Sequence, residues 1–226
     1  MNDNLTPFLN PTSVASYAEE TLKKVPGLTD LHRMTELLLA EHAPDAARIL
    51  VVGAGGGLEL KAMAQVRPEW RFTGVDPSPA MLDLAHKAVS PFAGRMDLSA
   101  GTVDEAPPGP YDGATCLLTL HFLDRDERLK TLREIRHRLK PGSAVVVAHH
   151  TAPDAASERW LARSALFADR DGSDPAKAAA SAAIMAQRLP LLTPDDEETL
   201  LLEAGFVDPA LFYAAFSFRG WVAIAG

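Results

Sequence analysis

Arg48-Ile-Leu-Val-Val-Gly-Ala-Gly-Gly-Gly57 decides the fold. Residues 48–52 form a short apolar run with three β-branched members and no turn former. That is the composition of a strand buried on both faces. Glycines follow at 53, 55, 56 and 57, and Leu58, Ala62, Met63 and Val66 then recur at helical spacing. The spacing predicts a helix beginning near Gly57. Strand, glycine turn and helix make one β-α unit, and glycine belongs at such a turn where a Cβ would hold a ligand away from the backbone. An ordinary glycine-rich turn has the same appearance, so the rest of the chain must decide.

Composition narrows the classes. With 226 residues, 47% hydrophobic and 23% charged, the chain can bury one sizeable core with room for a small cap or insertion. A net charge of −8 argues against a protein that coats nucleic acid. The single cysteine, Cys116, lies in an apolar run, so no intrachain disulfide and no cysteine-based zinc site is expected. Met1-Asn-Asp-Asn-Leu-Thr-Pro7 lacks the basic-then-apolar plan of a secretion signal, and no uncharged stretch is long enough to span a bilayer. The expectation is a cytoplasmic protein with no membrane partner; a homodimer stays open.

Ahead of the first strand, Asn10-Pro-Thr-Ser13 reads as a capped turn. Val14 to Lys24 reads as a helix broken by Pro26-Gly27, and Leu28 to Leu39 as a second amphipathic stretch ending near Pro44. After the glycines, Arg71 to Val75 is the second strand, with Asp76 at its C-terminal end. A carboxylate there can accept hydrogen bonds from two neighbouring ribose hydroxyls. Ser78 suits an N-cap and Pro79 a first helical turn, so a helix starts there. Met96 to Ala100 is a third strand, and Gly101-Thr-Val-Asp-Glu-Ala-Pro107 a loop.

Tyr111 to Leu118 reads as the fourth strand, with Thr119, Leu120 and His121 emerging at its end, where open α/β sheets bind ligands. Asp126 to Leu139 is a helix whose basic residues interleave with Glu127 and Glu134, the mark of a solvated face. Ser143 to Ala148 is the fifth strand, followed by His149-His150-Thr151. Neighbouring strand residues point opposite ways, so at most one of the two imidazoles faces a given pocket. Two adjacent histidines without a carboxylate at ligand spacing make no convincing metal site. Residues 153–190 read as a helical insertion, with helices over Ser157–Ala168 and Pro175–Leu189. Thr193 caps a helix stopped by Gly205, with Glu197 placed near its opening donors. Leu211–Phe216 and Trp221–Ala225, joined through Ser217-Phe-Arg-Gly220, make an antiparallel hairpin.

In order and spacing, residues 48–225 resemble the class I, Rossmann-like S-adenosylmethionine-dependent methyltransferases. Gly53-x-Gly55-x-Gly57 is similar to their first motif, whereas a dinucleotide fingerprint would need glycine where Leu58 stands. Asp76-Pro-Ser-Pro-Ala-Met81, the Tyr111-Asp112 strand entry, Leu139-Lys-Pro-Gly142 and the closing hairpin continue the likeness. The resemblance implies an α/β fold, a doubly wound, seven-stranded, mostly parallel sheet with an antiparallel last strand. It implies one domain made of a helical preface (1–47), a cofactor core (48–150), a helical insertion (151–192) and a C-terminal helix and hairpin (193–226). The implied cofactor is S-adenosylmethionine, held by Gly53, Gly55, Gly57, Asp76, Met81, Thr102, Val103 and Leu120.

The implied reaction is methyl transfer to a small-molecule acceptor, with His121 and His149 as catalytic candidates, no metal, and no nucleic-acid partner. Trp160, Arg163, Phe167 and Met185 are the insertion's candidates for lining the acceptor pocket. Two positions depart from the pattern. Val51 stands where the family often has an acid, with Glu59 as a partial substitute, and Thr102 replaces an aspartate of the adenine loop. Val25-Pro-Gly27 and Thr119-Leu-His-Phe-Leu123 are similar to the carboxy-S-adenosylmethionine synthase branch, which serves tRNA modification. That activity, and a non-catalytic nucleotide-cofactor-binding protein, are the alternative readings.

Overall fold

The computed structural model describes residues 14, 16–154, 156–170 and 174–226. The turn expected at 10–13 lies outside them. In chain order, helices α1 (Tyr17–Lys24) and α2 (Leu28–Ala40) precede β1 (Arg48–Val52), α3 (Leu58–Val66), β2 (Arg71–Asp76) and α4 (Pro79–Ala88). Next come β3 (Met96–Ala100), β4 (Tyr111–Leu117), α5 (Arg125–Arg138) and β5 (Leu139–His150). Helices α6 (Ser157–Ala168), α7 (Pro175–Arg188) and α8 (Pro194–Glu203) lead to the hairpin of β6 (Phe206–Ala215) and β7 (Phe218–Ala225). The strands form a seven-stranded sheet in the order β3-β2-β1-β4-β5-β7-β6. β3 to β5 pair in parallel, and β7 runs antiparallel to both β5 and β6. This is the doubly wound sheet expected from the sequence, with strand order reversing between β1 and β4.

The alternation of side chains along each strand divides the core in two. Ile49, Val51, Leu117, Val146 and Ala148 face one side, packed under α2, α3 and α4 through Leu31, Leu39, Leu60, Met63 and Leu82. Leu50, Val52, Cys116, Val145 and Val147 face the other, under α5 and α8 through Leu132, Ile135, Leu200 and Leu201. Every residue of β4 is buried, as a central strand covered by helices on both faces requires.

Local chemistry sets the helix ends. Asp124 and Glu127 close a capping box on α5, and Ser78 Oγ accepts from Met81 N at the start of α4. At α8 the box is closed by Thr193 and Asp196. Glu197, which the sequence placed near those donors, turns inward instead and pairs with Arg128 on α5. Both are buried, and Arg128 also donates to Leu123 O and Pro190 O at 3.1 and 3.0 Å. The strands are longer than their apolar runs. β5 starts at Leu139 because Leu139 pairs with Tyr111 across a register irregularity, and β6 starts at Phe206 because Phe206 pairs with Ala225.

The preface is tied to the sheet at its break. Tyr213 on β6 donates to Pro26 O at 2.6 Å, and Gly27 takes the left-handed φ of 62° that turns α1 into α2. Among the described residues no helix is long and apolar enough to cross a membrane.

The Arg128–Glu197 pair generates a stability prediction. Replacing Arg128 with Met leaves a buried carboxylate without its cation, which costs about 3–5 kcal/mol. Urea unfolding checks it: Arg128→Met loses that stability, and Arg128→Met with Glu197→Leu recovers much of it.

Candidate active site

The site forms where β1 and β4 diverge. Gly53 N and Ala54 N both donate to Val75 O, at 2.9 and 3.0 Å, folding the chain back over the tip of β2. Gly53, Gly55 and Gly57 have φ of 74, 49 and 75°, a region that glycine enters freely. At 57 there is no room for a side chain, since a Cβ would stand 2.9 Å from Ala85 Cα on α4. Asp76 joins the loop to the second β-α unit. Its Oδ2 accepts from Gly55 N at 2.9 Å and its Oδ1 from Ser78 N at 2.8 Å. Burial pushes the Asp76 carboxyl above its ordinary range, and these two donors pull it back. Each oxygen keeps a further acceptor position, which is what a pair of ribose hydroxyls needs. Met81 is buried with its Cε against the loop, 3.4 Å from where a Gly55 Cβ would stand.

Tyr17, in the first turn of α1, lies on this loop. Its ring is 3.0 Å from the position a Gly56 Cβ would take, and its hydroxyl is 3.6 Å from that of Gly55. Burial, helped by the charges of Glu59 and Asp76 and opposed by a hydrogen bond with Thr21, pushes the phenol up to about 12. With Tyr17 there, the crevice between loop, α1 and α2 measures only about 20 Å³. Cofactor pockets run to hundreds of Å³. The donor set and bare backbone fit an adenosyl group, and Tyr17 occupies the space beside them.

Beyond Tyr17 lies a cavity of about 460 Å³. Val25, Leu118, Phe122 and Phe218 supply its apolar wall, and His121 and His150 its imidazoles. Tyr17, Thr21 and Leu118 border both spaces. His150 Nδ1 lies 2.8 Å from Ser217 Oγ, which lies 2.8 Å from Ser164 Oγ on α6. His121 is buried, its ring 5.1 Å from that of His150, and its Nδ1 has no hydrogen-bond partner among the described residues. Burial, with the neighbouring histidines adding to it, pulls His121 well below its ordinary value and His150 down to about 3. Both rings are therefore neutral near pH 7.

Several expected residues fall elsewhere. His149 is fully buried on the opposite face of β5, its Nε2 3.0 Å from Glu197 Oε1 without hydrogen-bond alignment and its ring against Trp221. Strand alternation puts 145, 147 and 149 on the α5–α8 side and 146, 148 and 150 on the cavity side, so His150 holds the place assigned to His149. Leu120 and Val103 are buried in the α5–α8 core cluster instead of lining the crevice; Leu118 lines it, with a left-handed φ of 57°. Thr102 spends its hydroxyl on Asp104, and its backbone N–H donates to Glu105 Oε2 at 3.0 Å. Trp160, Arg163, Phe167 and Met185 do not line the cavity. Among the described residues no group of His, Cys, Asp and Glu is arranged to hold a metal ion.

Residues 49–142 match the family model described as a methyltransferase domain. A carboxy-S-adenosyl-L-methionine synthase of Chromohalobacter salexigens is 25% identical over 216 residues, covering 93% of this chain and 80% of its own. One from Campylobacter lari is 26% identical over 136 residues, 60% of this chain, and the match spans 58% of that relative's length. The fold superposes on human N-acetylserotonin methyltransferase, solved in complex with SAM, with a TM-score of 0.64 at 18% identity, covering 98% of this chain and 58% of the human one. The strand order and the glycine loop are those of a class I, Rossmann-like methyltransferase fold, and residues 49–142 are similar to the methyltransferase domain family.

Proposed function

We propose that the protein transfers a methyl group from S-adenosylmethionine to a small-molecule acceptor held in the 460 Å³ cavity. The observation that carries this reading is the Asp76 carboxylate bonded to Gly55 N on a crevice that Tyr17 separates from a cavity walled by His121 and His150. When bound, the cofactor supplies a methyl group made electrophilic by its sulfonium. The chain's own tasks are to hold the two partners in line and to keep water out. Asp76 grips the sugar, the bare backbone of Gly53–Gly57 lets the ligand approach, and Met81 packs below it. Leu118, Phe122 and Phe218 present an apolar wall to the acceptor.

His150, oriented through Nδ1 by Ser217, takes the acceptor's proton, with His121 beside it. Its basicity is weak, but a neutral hydroxyl that gains a methyl becomes a strongly acidic oxonium, so a weak base suffices. The cavity's size and its cover by α1 favour a small acceptor over a polymer.

A second reading, synthesis of a carboxylated cofactor, is supported by the Chromohalobacter relative's match over 93% of this chain. Mass spectrometry of the copurifying nucleoside separates the two. Methyl transfer predicts S-adenosylmethionine or its demethylated product, and the second reading a nucleoside heavier by one carboxyl group.

Two outcomes test the main reading. Asp76→Ala lowers S-adenosylmethionine affinity by roughly 100-fold and stability by about 1–3 kcal/mol, because two backbone donors lose their acceptor. Calorimetric titration showing unchanged affinity would remove the sugar-binding role. His150→Ala lowers kcat by roughly 100-fold. Since the ring is neutral far below pH 6, the wild-type kcat shows no histidine limb between pH 7 and 5. A fall centred near 6.5 would contradict a base with this environment.

A further inference from the structure

The helical insertion reaches the cavity through a single hydroxyl. Residues of α6 and α7 do not line the cavity, but Ser164 of α6 stands behind His150 in a chain of buried groups. His150 Nδ1 lies 2.8 Å from Ser217 Oγ, and Ser217 Oγ lies 2.8 Å from Ser164 Oγ. His150, Ser217 and Ser164 are 8, 0 and 6% exposed. The Ser217 backbone is held in place. Its carbonyl accepts from Thr151 N at 2.8 Å and from Thr151 Oγ1 at 3.1 Å, and its N–H donates to Ser164 Oγ at 3.5 Å. Phe218 stacks on the imidazole with ring centroids 3.8 Å apart, which fixes the plane of the ring. Among the described residues Ser217 is the ring's hydrogen-bond partner, and it takes Nδ1. Nε2 is the nitrogen left for a ligand in the cavity that His150 lines.

Ser217 carries one hydroxyl hydrogen and has partners on both sides, so it donates to one and accepts from the other. Donation to Nδ1 puts the ring's hydrogen on Nε2 and shows the cavity an N–H donor. Donation to Ser164 lets Ser217 accept from Nδ1–H, which leaves Nε2 with a bare lone pair. Only the second arrangement suits a ring that takes a proton from an acceptor. Ser164 Oγ already faces Ser217 as an acceptor, through the Ser217 N–H, so its lone pairs stand on the side of the hydroxyl too. A serine inside a helix can send its own hydrogen to a carbonyl of the preceding turn. Without the Ser164 oxygen, the Ser217 hydroxyl keeps one acceptor among the described residues, His150 Nδ1.

We infer that Ser164 is a positioning residue: by accepting the Ser217 hydrogen, it holds His150 in the tautomer whose cavity-facing nitrogen is a base. This rests on the base role proposed above for His150. On transfer, the acceptor's hydrogen moves to Nε2, Nδ1 keeps its own in the bond to Ser217, and the ring carries the charge. No hydrogen leaves either serine. The insertion thereby acts on the reacting centre without touching the acceptor.

The test is nitrogen-15 NMR at pH 7 on ligand-free protein labelled at its seven histidines, with the His150 signals assigned by their loss in His150→Gln. Burial holds the ring down to about 3, so it is neutral there and each nitrogen reads as protonated or bare. Wild type should show Nδ1 protonated and Nε2 bare, and Ser164→Ala the reverse. Alanine is a strong helix former, so the variant should keep α6. A wild-type ring protonated on Nε2 overturns the inference by itself. A Ser164→Ala ring with the wild-type pattern overturns it too, since a residue that only packs α6 would leave the tautomer unchanged. Either result leaves methyl transfer standing. Calorimetry with S-adenosylmethionine tests that reading separately: wild type that fails to bind it overturns methyl transfer, and with it the base role and this inference.

Discussion

The hydrogen bond from Gly55 N to the Asp76 carboxylate is the constraint on which the site depends. It crosses from the first β-α unit to the second and fixes the glycine loop against the tip of β2. It joins the bonds from Gly53 N and Ala54 N to Val75 O in holding a backbone that carries three left-handed glycines. The same carboxylate caps the approach to α4 through Ser78 N. One side chain thus sets the loop, starts the next helix and keeps acceptor positions for a ligand. Its burial makes this polar junction costly to lose, since each of its backbone donors would be left unpaired.

Strand alternation organises the rest. β5 carries two adjacent histidines into opposite environments. His149 joins Glu197 and, through it, Arg128, in a buried polar cluster that knits α5 to α8. His150 meets Ser217 and the cavity. Identical side chains one residue apart therefore sit in a buried polar cluster on one face and at the cavity wall on the other. The link through Ser217 to Ser164 also ties the cavity wall to α6, the first helix after β5.

What the sequence disclosed follows from how local each signal is. The run Arg48–Val52, the glycines after it and Asp76 at the end of Arg71–Val75 are contiguous patterns, and they fold as strand, turn and strand tip. The hairpin was equally legible through Ser217-Phe-Arg-Gly220, although pairing extends both strands beyond their apolar cores. Residues that depend on which face is which were not. His149 and His150 cannot be told apart without knowing that α1 covers the side of Val146 and Ala148. Leu118 was hidden because its place in the crevice comes from a backbone turn that leucine does not advertise. Tyr17 gave a faint signal, a tyrosine in a helix ahead of the fold, but its seat on Gly56 comes from tertiary packing. Glu197 was read as a cap because Asp196 and Glu197 are adjacent acids, and only the buried Arg128 distinguishes them.

Tyr17 is the hinge between description and function. It separates the crevice from the cavity, and α1 is anchored at its far end by the Tyr213–Pro26 bond. An adenosyl ligand on the loop must take the ground Tyr17 now covers. A crystal structure with S-adenosylhomocysteine tests this most directly. The account predicts the ligand's ribose oxygens on Asp76, with the Tyr17 ring displaced from Gly56 and the crevice and cavity joined. Ligand bound elsewhere, with Tyr17 still seated on Gly56 and Asp76 engaged only by Gly55 and Ser78, would contradict it.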